Sequence, residues 1–416
     1  MPPSRPSDIA PSAAAPPAAR QDARPVRARP VGERLDHLDG LRGLAALIVV
    51  LFHLLSALVP GMVPEQHPGA HWIAYTPVAI AWNGSFAVLV FFVLSGFVVT
   101  AATLRKRNPL WIDVAIRYLR LAVPATISVV IAWALLTQMP DAATALEQRT
   151  GSPWLGYIHQ GDIPGFGSAL LDGAVLIFAR GGSQFNNVLW TMKPELLGSL
   201  MCFAICLCPG RVLRMGATAA FAVAAIMVHR YEYEAFVVGI VLHELWSMDR
   251  LPARWPMPAL VAGAAIGAFS GDAAARFGFG GLPDAFQFRH HGGLLYPVAA
   301  GLVVYGTMQS PRARGVFSQR WAIFLGTISF PLYLIHVPLI DTVLAGVLVR
   351  LSDNVPLSVA VGLVAAAMMI PLAYGFERLI ERPFLRLLGR LRRRLRHIDA
   401  RVRDMAVRVR TRRRRA

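Results

Sequence analysis

Ten apolar runs, beginning near residues 41, 78, 121, 188, 216, 233, 257, 293, 322 and 357, recur along this chain of 416 residues. Each is of the order needed to cross the roughly 30 Å hydrocarbon layer of a bilayer as a helix. In lipid the backbone must satisfy its own hydrogen bonds, and a helix does so within each run. Composition agrees, since 55% of residues are hydrophobic, 16% are charged and mean hydropathy is +0.49, too apolar for a soluble protein of this length. The sequence therefore predicts an all-α, polytopic integral-membrane helix bundle of about ten transmembrane helices. The apolar stretch 167–179, with Asp172 and Arg180, is too short to span and reads as re-entrant or interfacial.

Orientation follows from the basic residues. With the N-terminus inside, twelve fall in short inner segments: Arg105, Lys106, Arg107, Arg117, Arg120, Arg211, Arg214, Arg250, Arg254, Arg312, Arg314 and Arg320. Six fall outside: Arg149, Arg180, Arg230, Arg276, Arg289 and Arg350. Both termini are then cytoplasmic, as an even helix count requires. The same bias explains the net charge of +18 without nucleic acid. Residues 1–33, rich in Pro, Ala and Arg and lacking an apolar signal core, read as a disordered basic cytoplasmic tail. Residues 34–384 form the membrane domain, and 385–416 an Arg-rich amphipathic cytoplasmic tail suited to anionic lipid headgroups on the inner leaflet. Cys202, Cys206 and Cys208 share one apolar helix and read as packing, with no metal site or disulfide framework. The Arg- and Ala-rich composition points to a bacterial cytoplasmic membrane.

Arg42 and His53 lie eleven positions apart in DGLRGLAALIVVLFHLL. On a helix that spacing leaves them about 20° apart around the axis and roughly 16 Å apart along it. They share a face without touching. A ligand reaching both must be long, with an anionic end for the guanidinium and a reactive end for the imidazole, and acyl-coenzyme A has that shape. An ionisable side chain so deep in an apolar run reads as functional. The alternative is a neutral imidazole bonded to a backbone carbonyl, and Arg42 has its own alternative in a pair with Asp39.

The stretch LDGLRGLAALIVVLFHL resembles the signature helix of the membrane acyltransferase-3 family, integral-membrane O-acyltransferases of bacterial glycans. Further similar motifs follow in order: FFVLSGFVV at 91–99, RYLRLAVP at 117–124, LWTMKPELLGS at 189–199, ISFPLYLIHVP at 328–338 and FERLIERP at 376–383. One departure stands out: where family members often carry two adjacent acidic residues, this chain has Lys193, Pro194 and a single Glu195. The resemblance implies transfer of an acyl group, commonly acetyl, from cytoplasmic acyl-CoA to a hydroxyl of a saccharide, glycan or lipid-linked acceptor, with no tightly bound cofactor.

Within that scheme Arg42, Arg117 and Arg120 are candidates for the coenzyme A phosphates, which guanidinium forks bind bidentately. His53 is the candidate general base or acyl carrier. Glu195, placed with Lys193 near the outer mouth, is the candidate for orienting the acceptor, a local Lys193 pair being the alternative. Ser95 and Tyr333 are candidate oxyanion donors, although small residues such as Ser95 and Gly96 also serve close helix packing. Ser329, Tyr333 and His336 fall on one helix face, lining a cavity or joining helices. Glu377 and Glu381, beside Arg378 and Arg382, read as surface ion pairs, and His159, His290 and His291 as solvent contacts. Two other functions compete: a transporter of an anionic or acylated solute using Arg42 and His53, and a non-catalytic membrane scaffold.

Overall fold

The computed structural model describes residues 35–64, 70–106, 108–158, 161–269, 293–351 and 354–413, with side chains in the last helix described to residue 405. The basic segment 1–33 and Arg107, His159, Arg276, Arg289, His290 and His291 lie outside the described residues. Among the described residues every regular element is a helix.

The long helices are α1 (Asp36–Leu58), α2 (Gly84–Lys106), α3 (Leu110–Gln138), α4 (Met192–Cys206), α5 (Arg211–Met227), α6 (Glu232–Ser247), α7 (Pro256–Ala268), α8 (Leu295–Gln309), α9 (Arg320–Pro338), α10 (Val355–Phe376) and α11 (Arg382–Arg413). A helix forms on each of the ten apolar runs. Six helical stretches are long and apolar enough to cross a membrane, namely Asp36–Leu58, Gly84–Arg105, Leu110–Gln138, Asn187–Cys206, Arg320–Leu348 and Val355–Met405. The helices α5, α6, α7 and α8 have 17, 16, 13 and 15 residues. At 1.5 Å per residue they reach about 20–26 Å, short of the hydrocarbon thickness.

Close backbone contact assembles the bundle. A methyl group on Gly43 of α1 would lie 2.5 Å from the amide nitrogen of Gly326 on α9, and one on Gly326 would fall on the carbonyl of Asp39. Backbones this close need residues without a side chain, as in lipid-embedded helix pairs generally. This crossing sets α1 against α9 and so fixes which of their side chains meet.

The third helix starts earlier than its apolar run near 121, and Arg117 and Arg120 lie within it rather than at its entry. Its first turns are held by α11: Ile112 and Ile116 bury with Leu388, flanked by Leu119, Phe384, Leu385, Leu391 and Leu395. The indole of Trp111 donates to Asp399 at 3.2 Å. The matching order shows the two helices packed antiparallel, so the first half of the Arg-rich tail is part of the bundle. The stretch expected to be re-entrant is a broken helix, Phe166–Leu171, a π-turn Asp172–Leu176 and Ile177–Arg180. It lies on α3 through the Tyr118 hydroxyl, which donates to the Ala174 carbonyl at 2.5 Å.

Candidate active site

His53 sits on the inward face of α1, 8% exposed, and His336 of α9 is wholly buried beside it. Their rings lie 5.0 Å apart, with His336 Nε2 3.1 Å from His53 Nδ1. His53 Nδ1 is also 3.0 Å from the Val49 carbonyl, and His336 Nδ1 is 3.1 Å from the Leu332 carbonyl. The backbone partner offered as the alternative for His53 is therefore present, together with a second histidine. The indole of Trp154, from the short helix Pro153–Ile158, covers His53 at 5.1 Å between centroids. Ser152 anchors that helix to α1 by donating to the Ser56 carbonyl at 2.6 Å.

A proline explains why the second histidine is held firmly. Pro338 has no N–H for the Leu334 carbonyl, four residues earlier. That carbonyl instead accepts from Ser128 at 2.7 Å and from the Asn186 amide at 2.8 Å, while the same amide also donates to Ser128. All three partners are buried. The break in the helix ladder thus becomes a tie between α9, α3 and the segment before α4, two residues from His336.

One layer further along, the Tyr333 hydroxyl is 2.9 Å from the Val188 carbonyl and 2.8 Å from the Thr191 hydroxyl. Thr191 precedes α4, and Glu195 lies one turn on. Glu195 is ion-paired to Arg117, and its Oε1 accepts from Ser95 at 2.5 Å. Arg117 also donates to Ser95 at 3.1 Å and to Ser199 at 2.8 Å. The two charged side chains are 13% and 16% exposed. By helix rise this layer lies about 10 Å from the histidines.

These contacts set aside one alternative and correct one expectation. Glu195 does not pair with Lys193, whose ammonium donates to the Ala179 carbonyl at 2.8 Å instead. Nor do Arg117 and Glu195 occupy opposite ends of the bundle, because α3 extends below Arg117 and α4 begins after a turn of tighter helix, Asn187–Thr191, bringing both to one depth. Glu377 and Glu381 are also misplaced by the sequence reading: both are buried, near a π-turn at Glu377–Glu381. Glu377 accepts from Arg382 at 2.8 Å, and Glu381 interacts electrostatically with Arg120 and Arg42.

Arg42, Arg117 and Arg120 do converge. Arg120 is exposed and lies in the electrostatic range of Arg117, Arg42, Glu381 and Glu195. Arg42 is half-buried and donates to Asp39 at 3.2 Å, the pairing offered as its alternative. Ser329 donates within its own helix to Gly326. Sequence reasoning missed Trp154, Thr191 and Asn186, which lie in or beside connecting segments with no period to read, and Ser128, a small polar residue within the apolar run of α3. Among the described residues no group of three His, Cys, Asp or Glu could hold a metal ion.

Unequal effects are expected at Glu195 and Lys193. Glu195→Ala leaves Arg117 buried and uncompensated, and should cost about 3–5 kcal/mol of stability. Lys193→Ala removes only a half-exposed contact and should change stability by less than about 0.5 kcal/mol. Unfolding of each variant in detergent micelles measures the difference.

An all-helical membrane bundle, with a buried histidine pair joined by polar side chains to a cluster of arginines, is suited to a long ligand with a charged end. The family model described as an acyltransferase domain, acyltransferase 3, matches residues 35–378. The chain belongs to that family and is an acyltransferase of groups other than aminoacyl, a membrane protein. It is 26% identical over 363 residues to the O-acetyltransferase PaAT-1 of Phomopsis amygdali, covering 73% of this chain and 72% of that protein. Together they support an O-acyltransferase. No solved structure matches the chain.

Proposed function

We propose that this O-acyltransferase moves an acyl group, acetyl by analogy with its relative, from cytoplasmic acyl-CoA to a hydroxyl of a saccharide or glycan. The observation that carries the reading is the polar column inside the bundle, from Arg42 and Arg120 through Arg117, Glu195 and Ser95 to Tyr333, His336 and His53. Coenzyme A phosphates take the arginine end and the thioester takes the histidine end. His53 accepts the acceptor hydroxyl's proton as its oxygen attacks the thioester carbonyl; the tetrahedral intermediate then expels the thiolate, which takes the proton from the imidazolium. An acyl-histidine route uses the same side chain. Ser95 and Tyr333 are placed for the oxyanion only after exchanging present partners, since the Ser95 proton goes to Glu195 and the Val188 carbonyl draws that of Tyr333.

The ten apolar runs support about ten spans, the arginine distribution supports both termini in the cytoplasm, and the composition supports a bacterial cytoplasmic membrane. Anionic lipid is the proposed partner of α11, where Ile398, Val402 and Met405 stand exposed at helical spacing among arginines. The family match gives the transporter and scaffold readings no support.

Arg42→Ala removes a charge-assisted phosphate contact of about 1.5–3 kcal/mol, so the KM for acetyl-CoA should rise roughly 10–100-fold with kcat little changed. Steady-state kinetics on protein in nanodiscs reads both constants. The function itself is tested by alkali-released acetate from envelope and secreted glycans of cells with the wild-type gene, a deletion or His53→Ala. Loss of one O-acetyl signal in both altered strains is expected, whereas an unchanged signal in the deletion strain contradicts acyl transfer to a glycan.

A further inference from the structure

The histidine pair does more than fill the core. Carbonyl oxygens only accept hydrogen bonds, so His336 Nδ1, 3.1 Å from the Leu332 carbonyl, carries that ring's proton. In the neutral ring the lone pair then lies on Nε2, the atom 3.1 Å from His53 Nδ1. His53 Nδ1 thus faces two acceptors, His336 Nε2 and the Val49 carbonyl, and must itself be N–H. Its own Nε2 is left without a proton. The Val49 carbonyl already serves the backbone N–H of residue 53, as the α-helical ladder requires, so the imidazole of His336 is the acceptor with capacity to spare.

We infer that His336 is a positioning residue for the reaction: it fixes His53 in the tautomer whose Nε2 is the available base and accepts from Nδ1–H when His53 becomes the imidazolium. The inference rests on the acyl-transfer reading and deepens it. The proton moves from the acceptor hydroxyl to His53 Nε2 and later to the coenzyme A thiolate. No net proton passes to His336, whose part is one accepted hydrogen bond that strengthens as charge develops on His53. The surroundings suit such a task. His336 is fully buried, and the carbonyl of its neighbour two residues back is tied to Ser128 and Asn186, so its ring is aimed from a fixed backbone.

The test uses full-length protein in nanodiscs with radiolabelled acetyl-CoA and, as acceptor, the glycan extract of a strain lacking the gene. His336→Met keeps the bulk and loses the acceptor. His336→Gln keeps an acceptor carbonyl that reaches the position of Nε2. In His336→Met, kcat should fall about 10–100-fold at an unchanged KM for acetyl-CoA, and in His336→Gln it should return to within about fivefold of wild type. Wild-type rates in both variants, or equal losses in both, would overturn the positioning role while leaving acyl transfer standing. Absence of labelled product with the wild-type protein would overturn acyl transfer and the inference with it.

Discussion

His53→Gln should lower acyl transfer by about 10²–10⁴-fold, the range a positioned general base contributes, while the protein still folds and still binds acetyl-CoA. Gln keeps much of the volume beneath Trp154, so the change falls on chemistry more than on packing. His53→Ala should be at least as inactive and also less stable, because it leaves a void beside a buried indole. Parallel measurement of transfer rate and equilibrium binding of acetyl-CoA separates these effects. Full activity in His53→Gln would remove His53 from the reaction.

The second large effect is expected far from the chemistry. Gly326→Leu puts a side chain where the Asp39 carbonyl of α1 now lies, and backbone cannot move aside as the end of a flexible side chain can. Overpacking at such a contact should cost about 3 kcal/mol or more. The α1–α9 crossing opens, and with it the approach of His53 to His336. The variant should be inactive and unfold well below wild type in detergent. Gly375→Ala, at a glycine with nothing close around its missing side chain, is the control expected to be near neutral.

What the sequence revealed divides along physical lines. Features with a short repeat were legible: the apolar runs became helices, and the eleven-residue spacing put Arg42 and His53 on one helix face. On α9, Tyr333 and His336 are buried together with the whole stretch 331–338. Depth was not legible. Hydropathy marks where an apolar run starts, not where the helix starts, and α3 begins before its run because α11 covers Ile112 and Ile116. That offset hid the pairing of Arg117 with Glu195. Likewise, the alternation of Glu377, Arg378, Glu381 and Arg382 looked like a surface pattern, and a π-turn at that point accompanies the burial of both carboxylates. Trp154, Thr191 and Asn186 come from segments whose position depends on the assembled bundle, which no local pattern encodes.

The departure from the family's paired acidic residues has a structural reading. The one carboxylate left at this position, Glu195, engages Arg117 and Ser95, and Ser199 supports Arg117 from the next turn of α4. Lys193 turns away toward the Ala179 carbonyl. A single acidic residue is therefore enough to pair the guanidinium at this depth.

The central claim is that one buried histidine drives the transfer of an acyl group from coenzyme A to an acceptor hydroxyl. Its most direct test is the product balance with purified protein in proteoliposomes, supplied with radiolabelled acetyl-CoA and glycan extract. Labelled ester and free coenzyme A thiol should appear one for one with wild-type protein, and neither should rise above background with His53→Ala. Labelled ester formed equally by both proteins, or labelled solute crossing the membrane unchanged, would contradict the account.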